Sequence, residues 1–299
     1  MTDWDDLRIF LAVARGESLS RAGRLLKLDA ATVGRRITRL EDGVGARLFT
    51  RSPQGYGLTD EGGRLVAHAQ AVETEMERAR DALSGLSDGI TGQVRIGAPD
   101  GSANYLLPQV VAQIVAQNPE LEVQIVALPR VFSLTRREAD MVIAVSKPEQ
   151  GRVIAQKITD YRLHLAASDR YLDAAPPLQT LSDLSAHRVV GYIPDMIFDR
   201  ELDYLSDIGV EHPPVASNSV SVQLNLIRQG AGVGVVHDFA LPSITGVRRL
   251  LTDQFALTRA FYLVRHADDR NVPRIERFAT ALMAGLKAEV KRLENQLQG

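Results

Sequence analysis

From Thr59 to Leu86, apolar residues recur at one fixed alternation of spacings. Leu65, Ala69, Val72, Met76, Ala79, Leu83 and Leu86 stand 4, 3, 4, 3, 4 and 3 positions apart. That is the pattern of a helix with a single narrow apolar stripe. The positions between are densely charged, with Glu73, Glu75, Glu77, Arg78, Arg80 and Asp81. A helix so charged cannot be buried all round, so it separates two folding units rather than sitting inside one. Thr59 is placed to cap it, and Asp60 and Glu61 suit its positive start. The run SDGITG at 87–92 closes it as a linker. Two readings of the stripe stay open. It packs on its own domain, or it forms a dimer seam with a second copy of the chain.

The helix divides 299 residues into a small head at 1–58, the helix itself at 59–88 and a large remainder at 89–299. With 45% apolar and 24% charged residues, both ends have material for real cores. In the head, Leu7, Phe10, Leu11 and Ala14 recur at helical spacing. Ser18 or Ser20 can cap a second helix, with Ala22, Leu25 and Leu26 facing inward. Asp29 sits where the cap of a third helix belongs, followed by the stripe Val33, Ile37 and Leu40. Pro53, Gly55 and Gly57 mark a tight hairpin or loop.

Charge is unevenly spread. The chain carries −2 overall, yet Arg21 to Arg51 holds eight bases against three acids. The remainder therefore carries −7, and the basic excess is confined to two helices and a loop of the head. A helix with one apolar stripe and an Arg/Thr face can dock on a small core and enter the major groove. Thr32, Arg35, Arg36 and Arg39 lie on that face. Arg47 and Arg51 flank the turn, where they suit phosphates. The bland alternative is an ordinary solvated basic face.

Beyond residue 93 the pattern alternates strands and helices. Strands are expected at 93–98, 122–127, 140–145, 161–168, 188–193, 233–237 and 259–266. Helical patterns lie between, as in LLPQVVAQIVAQNP and SVQLNLIRQG, and a final helix at about 272–297 buries Ile275, Phe278, Leu282 and Leu286. This alternation predicts α/β sheets with parallel pairs.

The run LRIFLAVARGESLSRAGRLLKLDAATVGRRITRLEDGVGARLFTR, continued by GYGLTDEG, resembles the LysR-type transcriptional regulators. GQVRIGAP, LLPQVVAQIVAQNPELEVQIVA and GAGVGVV resemble that family's effector domain. The resemblance implies a multidomain chain: a helical winged helix-turn-helix head, a long linker helix, then an α/β effector domain of two Rossmann-like subdomains. It implies a helix-turn-helix at about 19–38, with DNA contacts from Ser20, Arg21, Ala30, Ala31, Thr32, Arg35, Arg36, Arg39, Arg47, Arg51 and Ser52. Many relatives carry Ser-Gln-Pro where this chain has Asp29, Ala30 and Ala31, and Ala30 cannot make a glutamine's base contact. Gly34 replaces a frequent serine and costs helix propensity. The implied partners are promoter DNA, a second copy in a dimer and then a tetramer, a small-molecule effector, and RNA polymerase.

The chain is expected to cross twice between subdomains, the first at about 93–160 with 266–299 and the second at 161–265. A cleft between them is the default ligand site. Its candidate lining is Asp100, Ser102, Asn104, Pro129, Arg130, Tyr192, Asn218, Ser219 and His237. Helix starts at Ser102 and Ser219 favour an anion, and Arg130 supports one. Asp100 opposes it or selects an amine. Between EVQIVA and EADMVIAV stands only LPRVFSLTRR, so the usual helix there is shortened.

Other chemistry finds little footing. The glycines Gly230, Gly232 and Gly234 follow a helix and precede a strand, the reverse of a dinucleotide fingerprint. The six histidines are scattered, and no nucleophile elbow or P-loop occurs. Neither a cofactor nor a metal is expected, and neither is an enzyme. Zero cysteines remove disulfides, and the resemblance then excludes thiol-based peroxide sensing. The start MTDWDDLRIF has three acids and no apolar run, and no segment matches a membrane span, so a cytoplasmic protein is expected. A solute-binding protein and an effector-independent DNA-binding regulator are the alternatives.

Overall fold

The computed structural model describes residues 3–52, 55–84, 89–127, 139–148, 152–267, 269 and 272–297. It divides into two compact units, Met1–Asp88 with Asp268–Pro273, and Gly89–Ala267 with Arg274–Gly299.

In the first unit each helix begins at a side-chain cap. Helix α1 (Trp4–Gly16) starts at Asp3, α2 (Leu19–Leu26) at Ser18 and α3 (Ala30–Val44) at Asp29. Asp29 accepts from the Thr32 N–H at 2.8 Å, satisfying one of the free donors of the helix start. The expected stripe of Val33, Ile37 and Leu40 is buried against Ile9, Phe10 and Val13. Leu25 departs from expectation: it is 69% exposed, because Ala22 and Leu26 supply the buried side of this short helix. The turn into α3 is tight. Lys27 takes a left-handed φ of 56°, and the Leu28 N–H donates to the Gly23 carbonyl at 2.8 Å. A Cβ on Gly23 would lie 2.5 Å from the Leu28 carbonyl oxygen, so only glycine fits.

The glycine-marked stretch is a two-stranded hairpin, β1 (Phe49–Ser52) and β2 (Gly55–Leu58), paired from Phe49↔Leu58 to Ser52↔Gly55. Glu41 anchors it from α3. One oxygen accepts the Leu48 and Phe49 N–H groups, and the other accepts from Arg47 at 2.6 Å. Thr59 caps the long helix α4 (Asp60–Ser84) as expected, accepting the Gly62 N–H at 2.9 Å. Ala69 is buried in the core of the head, and Leu65 packs against the same core. Arg15 on α1 pairs with Glu73 on α4 at 2.5 Å.

The second unit is built on one mixed sheet. Its strands are β3 (Gly92–Ala98), β4 (Leu121–Ala127), β5 (Met141–Ala144), β6 (Val153–Ser168), β7 (Val189–Gly191), β8 (Val215–Ala216), β9 (Val233–His237), β10 (Val247–Leu250) and β11 (Leu257–His266). Among the described residues the order is β4-β3-β5-β11-β6-β9-β7-β8, with β10 added on β6. The pairs β3/β4, β3/β5, β7/β8 and β7/β9 are parallel, and the central pairs are antiparallel. Helices α5 (Asp100–Tyr105), α6 (Leu107–Gln117), α7 (Asp169–Leu172), α8 (Val220–Arg228) and α9 (Pro273–Asn295) accompany it. On α9, Ile275, Phe278, Leu282 and Leu286 are buried as expected. Gly230 and Gly232 do lie between α8 and β9, and a Cβ on Gly232 would meet the Arg188 carbonyl oxygen at 2.2 Å. Gly232 serves a close backbone crossing.

Two expectations need correction here. Strand β6 starts at Val153, not Tyr161, and runs 16 residues. Its ladder with β11 skips Ile158, passing from Phe261↔Thr159 to Tyr262↔Lys157. That bulge breaks the alternation by which the first half would have been recognised. Residues 262–265 of β11 pair with β5, so the return to the first half of the sheet falls near 262 rather than 266. A buried network also braces the sheet. His164 on β6 meets Asp238 at 2.8 Å, Asp238 meets Arg249 on β10 at 3.1 Å, and Arg249 donates to the Leu297 carbonyl at 2.7 Å.

Replacing Gly23 by alanine is expected to destabilise the head by about 1–3 kcal/mol, because the added methyl meets fixed backbone. Urea denaturation of the full-length variant checks this. An unchanged midpoint would show that the turn relaxes freely.

Candidate nucleic-acid interface and effector cleft

The outer face of α3 is a short exposed stripe. Ala31, Arg35 and Thr38 are exposed and follow one another at helical spacing. The Arg35 guanidinium donates to the Thr32 hydroxyl at 2.8 Å, and that hydroxyl donates to Asp29 at 2.7 Å. The Asp29 carboxyl is held below its usual range by the Thr32 hydroxyl and then by the Thr32 N–H. Thr32 is thus engaged in ordering Arg35. Thr38 was not among the expected contacts, although its position, three after Arg35, would have placed it on the same face.

Arg36 and Arg39, expected on the outer basic face, both pair with acids of α1. Arg36 pairs with Asp5 and with Asp6, each at 2.5 Å. Arg39 reaches Asp6 at 2.6 Å, and Asp3 lies 3.7 Å from it. The Asp6 side chain is 4% exposed, so its charge needs both partners. Arg36 is half-buried, whereas Arg39 keeps an exposed flank. The cause is the cluster of acids at positions 3, 5 and 6, which the fold brings against α3.

The remaining contacts surround this stripe. Ser20 and Arg21 are exposed at the start of α2, and Ala30 is partly buried at the start of α3. Arg47 stays 70% exposed while pairing with Glu41. The Arg51 guanidinium lies 5.5 Å over the Tyr56 ring, next to Ser52 in the hairpin. On α4, Val72, Met76 and Ala79 are exposed, whereas Leu65 and Ala69 serve the head. The side chain of Leu83, and Leu86 altogether, lie outside the described residues.

In the second unit, five of the nine expected cleft residues border one cavity: Asp100, Ser102, Tyr192, Asn218 and His237. Its volume is about 20 Å³, close to the space of a single water. Tyr161, Phe198, Tyr204 and Phe261, which the sequence did not single out, supply aromatic walls. A larger open groove of about 1100 Å³ adjoins it through Tyr192, Leu202 and Tyr204, and Asp199, Glu201 and Arg259 line its far side. The Tyr204 hydroxyl and His237 Nε2 lie 3.2 Å apart. Burial pushes His237 down to about 3, against the opposing pull of Asp100, so the ring is neutral.

At the start of α8 stands the chain's own carboxylate. Ser219 caps α8, but its hydroxyl donates to Asp100 at 3.0 Å. The Ser102 side chain is buried and donates to the Pro99 carbonyl at 3.0 Å. Asn104 is exposed and donates to Asp100 at 3.0 Å. Pro129, Arg130 and the shortened LPRVFSLTRR connection lie outside the described residues. Among the described residues no cluster of ligands could hold a metal ion, and no helix is long and apolar enough to cross a membrane.

Residues 4–63 match the family model for the bacterial regulatory helix-turn-helix protein of the lysR family, and residues 87–287 match the LysR substrate binding domain. The chain belongs to the LysR family of transcriptional regulators. This LysR-family chain is 26% identical over 238 residues to the transcriptional regulator PtxR of Pseudomonas aeruginosa, covering 78% of the chain and 76% of that protein. It is 27% identical over 239 residues to the transcriptional activator TtdR of Escherichia coli, covering 76% and 75%. In fold it is similar to full-length OxyR of Pseudomonas aeruginosa, with a TM-score of 0.74, 19% identity and coverage of 96% and 95%. It is also similar to full-length LysG of Corynebacterium glutamicum, solved with bound effector Arg, with a TM-score of 0.63, 19% identity and coverage of 97% and 99%. These relatives are regulators, not enzymes or solute-binding proteins, and the winged helix-turn-helix head with an α/β effector domain is the fold they share.

Two substitutions separate reading from scaffolding. Arg35→Ala is expected to lose about 1–3 kcal/mol of base discrimination, or roughly 10- to 100-fold in operator preference, with an unchanged melting temperature. Arg36→Ala is expected to lower the melting temperature instead, because Asp6 loses a partner. Mobility shifts and thermal melts on both variants decide it, and equal effects would refute the division.

Glu41 gives a pH signature. Burial raises its pKa, but the Leu48 N–H, Arg47 and the Phe49 N–H outweigh that, leaving it below 4.5. Its contribution is complete above the unfolded pKa and is lost as pH falls through the lower folded value. Glu41→Gln is therefore expected to cost about 1–3 kcal/mol at pH 7, with the difference closing as pH falls below the ordinary carboxylate range. A gap that persists in acid would contradict this.

Proposed function

We propose that this regulator reads promoter DNA with the exposed stripe of α3, Ala31, Arg35 and Thr38. Arg47, Arg51, Ser20 and Arg21 hold the phosphates alongside, with Arg39 at the margin. The exposed Arg35, held by Thr32 and Asp29 on the outside of a capped helix, is the observation that carries the reading. An arginine so presented can bond guanine O6 and N7 in a fork. The protein acts in the cytoplasm, where promoter DNA is.

Two copies pair through the part of α4 that its own head leaves exposed, Val72, Met76 and Ala79. Four copies assemble from two such dimers. Seated at a promoter, the assembly meets RNA polymerase as recruiter or obstacle. A small molecule in the cleft of the second unit changes the relative affinity of two assembly states for DNA. LysG, which shares this fold, holds its effector Arg, and that supports an effector here.

Selection of bound fragments from random duplexes by the full-length protein tests the reading. Two half-sites about 34–36 Å apart are expected, with affinity falling linearly on a log–log plot against salt. Enrichment of no sequence would overturn it. Val72→Glu and Met76→Glu are expected to halve the mass of the basic assembly in sedimentation, since each places a charge in the seam. An unchanged mass would place the interface elsewhere.

A further inference from the structure

Asp100 opens α5, but its carboxylate serves α8. One oxygen accepts the Ser219 hydroxyl at 3.0 Å, the Ser221 N–H at 2.9 Å and the Ser221 hydroxyl at 3.1 Å. The other accepts from Asn104 at 3.0 Å. The partners on α8 stand 119 and 121 positions along the chain. A helix start with free N–H groups and positive dipole charge is where a free anion would bind. Here an anion already occupies it, and the chain supplies it.

A second observation marks the same place as a ligand seat. His237 is 4% exposed, and its Nδ1 is buried without a hydrogen-bond partner. Its ring borders the cavity that Asp100 borders. A Cβ added to Gly101, the residue after Asp100, would lie 3.7 Å from the ring carbon Cε1. Buried polar atoms are nearly always satisfied, so an orphan here points to a partner that binds from outside the chain. The cavity has no lysine or arginine in its lining, and about 20 Å³ is too small for an organic effector while Asp100 holds α8.

We propose that Asp100 is a tethered ligand, the chain's own carboxylate filling the anion seat at the start of α8 and tying α5 to α8 without a free effector. Tethering gives the carboxylate a high effective concentration, so a free anion competes poorly and is also repelled by like charge. An effector of the natural protein must then draw Asp100 off α8 by offering donors of its own. Its class is a neutral or cationic small molecule rather than an acid. Removing the carboxylate exposes a seat that fits a small free carboxylate. This inference rests on the cleft being the effector seat.

The test uses the full-length protein and its Asp100→Ala and Asp100→Ser variants, each of which empties the seat. Formate and acetate are titrated to about 50 mM at constant ionic strength, reading melting temperature and affinity for the selected operator. The variants are expected to melt a few degrees lower and to recover at least half of that saturably with formate, while wild type does not respond. Wild type responding as strongly as the variants overturns the proposal, because the seat would then be open. Altered melting and operator affinity without formate recovery overturns the tethered ligand and leaves the cleft as effector seat. Variants unchanged in both readouts overturn the two together. Asp100→Ser keeps the test decisive if Asp100→Ala does not fold.

Discussion

The antiparallel pairing of β6 with β11 is the interaction on which the effector unit depends. Ten residues of β11 are matched to β6, from Leu257↔Leu163 to His266↔Val153. Every other strand of the sheet reaches its place through this pair. On one flank β5 joins β11 and carries β3 and β4. On the other, β9 joins β6 and carries β7 and β8. The parallel pairs at each end need crossover helices, which place α5 and α8 where Asp100 can bridge them. The cavity bordered by Asp100 and His237 is thus a consequence of two long strands running through the middle.

In the head the comparable constraint is electrostatic. A reading helix must carry arginine, yet arginine on every turn would repel itself and leave the helix poorly held. The chain divides the labour. Arg36 and Arg39 are drawn back by the acids at the start of α1 and fix the angle of α3 on the core. Arg35 faces outward and is steadied by Thr32 on its own helix rather than by an acid of α1. Glu41 performs the same service for the hairpin, binding two backbone N–H groups and Arg47. The acidic residues inside this basic head are its scaffold.

Much of this was legible in the sequence because it is local. Caps at Asp29 and Thr59, the stripe Val33, Ile37 and Leu40, and most strands follow from spacing within about ten residues. The rest depends on partners far along the chain. Nothing near Arg36 announces Asp5 and Asp6, about thirty positions earlier. Nothing near Asp100 announces Ser219 and Ser221. Leu25 looked apolar and therefore inward, but on eight residues of helix the core side was already filled. Leu65 and Ala69 fit a seam as well as they fit a head, and periodicity cannot separate the two. The first half of β6 was missed because QKITD interrupts its alternation.

That interruption has a consequence of its own. Ile158 is one residue more than β11 has to match, so the two halves of β6 run in opposite phase. Before it, Val153 and Ala155 pack on Ala139, Val142 and Val264, while Gln156 accepts from Arg265. Deleting this one residue would leave a regular ladder with every pair on its present face. A deletion or insertion elsewhere in the first half would shift the register and send the polar set beyond it to the apolar side. Away from the bulge this strand therefore tolerates substitution far better than a change of length, and length variation among related chains is expected to gather at the bulge and in the loops on either side of the strand.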